Sequence, residues 1–350
     1  MKNSYQNQSL KGKRIYTMNQ INFPDLDAMD DMGGDYTSDL AASGLFTRDW
    51  PEDFRAGFAA VIGRPNVGKS TLINAMVGRK IAITSDRPET TRRVARGIVH
   101  RPDFQLILVD TPGIHRPRTL LGQRLNDMVD DAFSEVDVAV FCVPADQPIG
   151  PGDRRIVETQ LKTAHFPAIA VVTKTDAASR EQIAEQLLAV SQLHDFSEIV
   201  PISAHQGTQV QTLIDLLGQR LPLSPPLYPR DQVTDEDDTA MISELIREAA
   251  LESLSQELPH SLAVQVEEII KQPGRSGDGE FWKIHVNLFV ERDSQKAIVI
   301  GRKGARLKEI GTKARPQIES LVGHHVYLDL HVRTAKEWQR NPKMLNRLGF

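Results

Sequence analysis

The chain reads as an α/β protein with a mostly parallel sheet covered by helices on both faces, followed by a smaller α+β module. Three observations predict this. Short apolar runs alternate with segments of helical period from Gly57 to Leu221. A glycine loop, Gly63–Ser70, links the first run to the first helix, the order of a phosphate-binding loop. Beyond a proline-rich break the order becomes helix, two strands, helix–loop–helix, strand.

Residues 1–55 are polar, rich in Asn, Gln, Asp and Gly, and lack a sustained period, which predicts a disordered acidic extension. Residues 56–221 form the first domain. Its strands are expected at Phe58–Ile62, Val94–His100, Phe104–Val109, Val136–Val143, Ala168–Val172 and Ile199–Ile202. A helix over Thr71–Val77 stops at Gly78, and further helices lie near 120–133, 153–164, 179–193 and 208–220. The near-continuous apolar strands suit a sheet buried on both faces. Residues 222–238, with four prolines and the run Asp235-Glu236-Asp237-Asp238, read as a linker.

The second domain, 239–350, opens with a helix over Thr239–Leu258. Alternating strands over Leu262–Ile270 and Phe281–Val290 flank a glycine turn, Gly274-Arg275-Ser276-Gly277. The apolar Ala297–Ile300 precedes Gly301-Arg302-Lys303-Gly304, a helix over Ala305–Leu321 follows, and His325–Val332 is the last strand.

Composition narrows the class. Of 350 residues, 40% are apolar and 25% charged, which is globular. The net charge of −4 hides a split: residues 21–53 carry nine acids and one base, whereas 296–350 carry twelve Lys/Arg and four Asp/Glu. The basic end suits a polyanionic partner. A lone cysteine, Cys142, sits in an apolar strand; it excludes an internal disulfide and fits a reducing compartment. No apolar run has the length of a membrane span, and the N-terminus lacks a signal-type apolar core, so a cytoplasmic location is expected.

The loop Gly63-Arg64-Pro65-Asn66-Val67-Gly68-Lys69-Ser70 satisfies G-x-x-x-x-G-K-S/T and runs into Thr71. Its backbone N–H groups and the helix N-terminus converge on an anion. Lys69 would reach the outer phosphates and Ser70 would ligate Mg²⁺. The next strand ends on Asp110-Thr111-Pro112-Gly113, where Asp110 can hold Mg²⁺ through water and Gly113 can offer its N–H to a terminal phosphate. Later strand ends carry Thr173-Lys174-Thr175-Asp176 and Ser203-Ala204. Each alone reads as a polar strand end or a helix cap. Their order at successive strand ends is what carries weight.

Together these segments resemble those of translation-factor-type GTPases. The resemblance implies that Asp176 accepts from the two guanine N–H donors, that the Ala204 N–H meets the guanine carbonyl and that the Lys174 stem packs on the base. Thr173 stands where such proteins have Asn, which implies weaker guanine binding. Glu89-Thr90-Thr91-Arg92 occupies the first switch, with Thr91, favoured over Thr90, as the hydroxyl that closes on Mg²⁺. Ile114 replaces the glutamine that orients water in many small GTPases, implying slow intrinsic hydrolysis. Asn66 matches the residue that potassium-stimulated relatives use as an ion ligand. The adjacent His115 reads as incidental.

The order of the second domain resembles a type II KH domain, an RNA-binding module. Its G-x-x-G would be Gly301–Gly304, with Ile300, Arg302, Lys303, Arg306 and Lys308 around it, not the copy at 274–277 beside Asp278 and Glu280. Arg306, Lys308, Lys313 and Arg315 give the following helix its charge.

Residues 57–350 as a whole resemble the Era family of bacterial ribosome-associated GTPases, in GRPNVGKSTLIN, ETTR, DTPG, KTD, ISA, PHSLAVQVEE, GRKGARLKEIG, LDLHV and the terminal NRLGF. A P-loop GTPase domain followed by a KH-type domain is then expected, with GTP/GDP and Mg²⁺ as ligands and K⁺ near Asn66. The expected partners are 16S ribosomal RNA near its 3′ end and the small-subunit precursor, for a monomer that binds no DNA. Some members also associate with the inner membrane face, for which this sequence offers no feature. Two other readings stay open at this point: a P-loop ATPase or kinase with a basic accessory domain, and a GTPase whose C-terminal domain docks protein.

Overall fold

The computed structural model describes residues 50–85, 90–114, 117, 119–254, 261–273 and 280–350. The chain divides into Met1–Arg48 and Asp49–Phe350, and the expected disordered extension lies, to residue 49, outside the described residues. So do Glu89, His115 and the 274–277 turn.

The larger unit contains two sheets. The first has six strands: β1 (Arg55–Ile62), β2 (Ala95–His100), β3 (Phe104–Asp110), β4 (Val138–Pro144), β5 (Ala168–Thr173) and β6 (Glu198–Pro201). Their spatial order is β2-β3-β1-β4-β5-β6, parallel except for β2, which pairs antiparallel with β3. β3, β4 and β5 are buried along their whole lengths, as strands covered on both faces must be. The helices between them are α1 (Lys69–Val77), α2 (Leu120–Ser134), α3 (Pro151–Ile156), α4 (Arg180–Ser191) and α5 (Val210–Gly218). The helix expected near 153–164 differs: it starts at Pro151, whose fixed φ suits a first turn, and widens into a π-helical turn over Val157–Leu161. Cys142 lies fully buried in the core, where burial pushes its thiol up to about 12.

The residues read as a linker are laminated onto the outer edge of the sheet. Ile98 N donates to Val233 O at 2.9 Å, and His100 Nε2 meets Gln232 O at 2.7 Å. The buried Gln105 binds this segment three times, donating Nε2 to Tyr228 O and accepting from the Leu227 and Tyr228 N–H groups. The β2 edge is thereby covered.

The second sheet, β7 (Ala263–Pro273), β8 (Glu280–Val290) and β9 (His325–Thr334), pairs antiparallel and then parallel. One face is covered by α6 (Asp238–Ser253), α7 (Asp293–Ile300) and α8 (Ala305–Val322), which share a core with it. The first of these stops at Ser253, short of the expected Leu258, because Leu254 is already extended. A terminal helix that the sequence reading lacks, α9 (Pro342–Leu348), is capped by Asn341 with proline in its first turn. Trp338, Leu345 and Leu348 pack against Leu121 and Leu125 of α2, so the two sheets' domains share a small core.

Candidate functional site

The phosphate loop is built from backbone that few residue types tolerate. Gly68 (φ 98) and Asn66 (φ 64) are left-handed, and α1 starts directly after them with its N–H groups facing the loop. Val67 is buried in the core and anchors the loop from below. Lys69 is also buried, its Nζ donating to Gly63 O at 3.1 Å and Arg64 O at 3.0 Å, and burial lowers its pKa. Arg64 turns sideways: its Nε meets the fully buried Asp153 at 2.7 Å. Asn74, the last residue of the long loop motif, receives Ile81 N and Ala82 N and donates to Ala82 O, pinning the chain that leads to the first switch.

The end of β3 meets this loop. Ser70 Oγ donates to Asp110 Oδ2 at 2.7 Å and lies 3.0 Å from Thr91 Oγ1. Asp110 is fully buried, and desolvation raises its pKa to about 6 despite the Lys69 charge and the Ser70 and Thr91 hydroxyls. Its other oxygen, Oδ1, is buried with no hydrogen-bond partner among the described residues. A carboxylate in that condition, beside two hydroxyls, is a donor set for a hard cation. Thr111 and Pro112 are buried, the Thr111 hydroxyl donating to Val61 O at 2.8 Å. Gly113 passes so close to the loop that a Cβ there would meet Pro65 N at 2.8 Å. A side chain there would collide with the loop, and Gly113 lines a groove with Asn66, Lys69, Ser70 and Thr71. Ile114 packs against the core on one side of the sheet, so its side chain cannot serve the groove.

The ends of β5 and β6 form the second part of the site. Asp176 is exposed and accepts from Ser203 Oγ at 2.6 Å, which holds its carboxyl below the usual range. Ser203 is itself buried and receives Gln206 N at 3.1 Å. Lys174 is left-handed (φ 57), and Ala204 follows Ser203 in the same turn. Thr173 does not face this pocket. Its hydroxyl points to Val67 O at 2.5 Å and Val143 O at 3.2 Å, so it ties the phosphate loop to the sheet. One hydroxyl proton serves two carbonyls there, where an amide would offer two.

In the second domain α7 ends at Gly301 (φ 72), Lys303 (φ 53) and Gly304 (φ 80) follow, and α8 begins. A Cβ on Gly301 would meet Arg306 N at 3.0 Å. Arg302, Lys303 and Lys308 are exposed, and Ile300 is half-buried. Arg306 reaches back to Ile298 O at 2.9 Å and braces the turn. Lys313 is partly neutralised by Glu309 and Glu252.

Residues outside every motif also reach the nucleotide-side loops. Arg247 and Glu248 of α6, and Trp338 near the C-terminus, contact the segment 80–92. Isolated charges on a helix read as a solvated face, so sequence offered only a weak signal: α6 is buried almost continuously from Met241 to Leu251.

The profile of the family described as 50S ribosome-binding GTPase matches residues 58–174, and that of the KH domain matches 257–339. The chain is 56% identical over 301 residues to GTPase Era of Streptomyces coelicolor, covering 85% of this chain and 95% of that one. It is 57% identical over 300 residues to GTPase Era of Mycobacterium avium, covering 85% and 99%. Among solved structures it is similar to Era in complex with MgGDPNP and nucleotides 1506–1542 of 16S ribosomal RNA, with a TM-score of 0.79 at 34% identity, over 85% of this chain and 99% of that one. An Aquifex aeolicus Era variant bound to GDP·AlF4⁻ gives 0.80 at 34% identity, over the same shares.

Proposed function

The chain belongs to the GTPase Era family, and on that premise we propose that it is a GTP-driven switch that binds small-subunit ribosomal RNA near its 3′ end and assists assembly of that subunit. The observation that carries this reading is the pairing, in one compact unit, of an Asp176 carboxylate oriented by Ser203 with a left-handed G-x-x-G turn between two helices. A neighbour solved with both a guanine nucleotide and 16S nucleotides supports it. We divide the chain into an N-terminal extension (1–55), a GTPase domain (56–221), a connecting strap (222–238) and a KH-type domain (239–350).

Mg²⁺ fits the buried, unpartnered Asp110 Oδ1 and its neighbours: Ser70 and Thr91 would hold the ion directly and Asp110 through water. Bound there, the ion neutralises charge on the phosphate oxygens. Lys69 and the amides of Gly63 to Thr71 hold the phosphates. Gly113 presents its N–H to the terminal phosphate, and catalysis is mainly positioning and charge stabilisation by these groups. Asp176, Lys174, Ser203 and Ala204 read the base, while Thr173 steadies the loop beneath it. Asn66 is assigned to K⁺ by family resemblance, and with Ile114 turned to the core the intrinsic rate is slow. Equal rates in sodium and potassium buffers would remove the potassium assignment. We assign the protein to the cytoplasm as a monomer; among the described residues no helix is long and apolar enough to cross a membrane.

The test is crosslinking in GTP and GDP states, with sequencing of the attached RNA. State-dependent recovery of the 16S 3′ region is the expected result. Recovery of no RNA, or crosslinking undiminished in Arg302→Asp/Lys303→Asp, would favour protein docking by the C-terminal domain instead. Displacement of labelled GTP by ATP would return the kinase reading.

A further inference from the structure

Thr91 is held from both sides by the second domain. On one side the carbonyl of Thr90 accepts from Arg247 Nη2 of α6. Arg247 is only 2% exposed, and Glu244, one turn earlier on the same helix, fixes its guanidinium. On the other side Arg92, 1% exposed, donates Nη1 to Leu262 O at 2.7 Å and lies 5.9 Å from the Trp338 ring centroid. The same pattern continues outward. Arg93 Nη2 donates to Leu348 O at 3.0 Å, and Thr84 N donates to Glu248 Oε1 at 2.9 Å. Between these anchors the Thr91 hydroxyl stands 3.0 Å from Ser70 Oγ.

We propose that Arg247 is a positioning residue for GTP hydrolysis, supplied by the RNA-binding domain. With Arg92 as its counterpart, it fixes the backbone on either side of Thr91 and keeps that hydroxyl beside Ser70 and Asp110. The inference rests on the assignment of Thr91 to Mg²⁺ given above. A guanidinium donating to a carbonyl away from water is short, directional and strong, and it restrains the peptide that carries it. The Thr90 peptide is restrained directly and Arg92 through its buried side chain, so Thr91 between them has little freedom of its own. Undocking α6 removes one, and displacing Leu262 and Trp338 removes the other. The two-sided hold is thus available only when both domains are packed together. Linkage makes the relation reciprocal: whatever secures Thr91 at the metal secures α6 on the switch.

A purely architectural contact would lower stability without touching metal dependence, and the test separates the two. In the full-length protein, Arg247→Ala, Arg247→Lys and Thr91→Ala are compared for the Mg²⁺ concentration giving half-maximal GTPase, the ratio of GDP to GTP-analogue affinity, and Tm. Arg247→Ala is expected to raise the Mg²⁺ requirement roughly tenfold or more, the loss typical of a charge-assisted hydrogen bond, and to lower the preference for the triphosphate, with GDP affinity unchanged. Arg247→Lys should recover part of both. A folded Arg247→Ala protein with parental Mg²⁺ dependence, beside an impaired Thr91→Ala, overturns the proposal. Parental behaviour of Thr91→Ala overturns instead the metal assignment on which it rests. If Arg247→Ala does not fold, Glu244→Gln, which leaves Arg247 in place but loosens it, must shift the Mg²⁺ requirement in the same direction; no shift overturns the proposal.

Discussion

Ser203 donates its hydroxyl to Asp176 Oδ1 at 2.6 Å, joining the ends of two strands that the chain separates by 27 residues. The bond leaves the other carboxylate oxygen of an exposed Asp176 for the base that the proposed function assigns to it. It also favours the ionised carboxylate.

Removing that hydroxyl should therefore loosen guanine recognition without abolishing it. Ser203→Ala is expected to weaken GTP and GDP binding about tenfold, the worth of one hydrogen bond to a charged group. Asp176→Asn should move preference toward xanthine nucleotides. Fluorescence titration with the two nucleotide series checks both, and unchanged guanine preference in Asp176→Asn would refute the base assignment.

The same bond sets a pH expectation. The Asp176 pKa is lowered in the folded protein, chiefly by the Ser203 hydroxyl, so its ionised form is favoured there relative to the unfolded chain. The associated stability is present above the ordinary carboxylate range and is lost only as pH falls through the lowered value. Guanine-over-adenine selectivity should stay level from about pH 8 to about pH 5, since an ordinary Asp titrates near 3.9. In Ser203→Ala the acid limb should move to higher pH. A selectivity loss already complete near neutral pH would point to another group.

Thr173 allows a gain of function to be forecast. Its one proton is shared by Val67 O and Val143 O, whereas an asparagine amide carries two donors. Thr173→Asn should tighten nucleotide binding by about threefold to tenfold, the equivalent of about 1 kcal/mol. Because the contact is to the phosphate loop, GDP and GTP should benefit alike; a gain confined to guanine over inosine would contradict the geometry.

Gln105 offers a stability test away from the site. Gln105→Leu keeps the volume but strands the Leu227 and Tyr228 N–H groups and the Tyr228 carbonyl. A loss of about 3 kcal/mol is expected, at about 1 kcal/mol for each group left unpaired. Urea denaturation gives the total. Hydrogen exchange should show faster exchange at 227–234 than in the strands beneath.

How far the sequence carried the reading depended on where the partner of each residue lies. Gly68, Lys69, Ser70, Asp110 and Asp176 stood out because the phosphate, metal and base roles proposed for them each demand one residue type near the end of a strand. Gly301 and Gly304 were legible because an apolar run before them and a basic helix after them gave context to a weak motif. Arg247 was not legible, since its partner Thr90 is 157 residues away and only docking brings them together. Gln105 carried no signal of its own within an apolar strand, yet it is buried and bonds three times to residues 227 and 228. The α9 helix, seven residues capped by Asn341, is too short to show a period.

The lamination of 232–235 on the β2 edge has a bearing on how far the RNA-binding domain can travel. Arg96 still holds Asp235 at 2.8 Å, and α6 begins at Asp238. Only Glu236 and Asp237 lie between, so the Asp235 and Asp238 Cα atoms can be at most about 10 Å apart at full extension. With its leash that short, the domain can pivot but not wander, and after release it stays at a high effective concentration beside the switch. On the proposed reading, undocking would be a pivot about Glu236 and Asp237, and redocking a reorientation rather than a search.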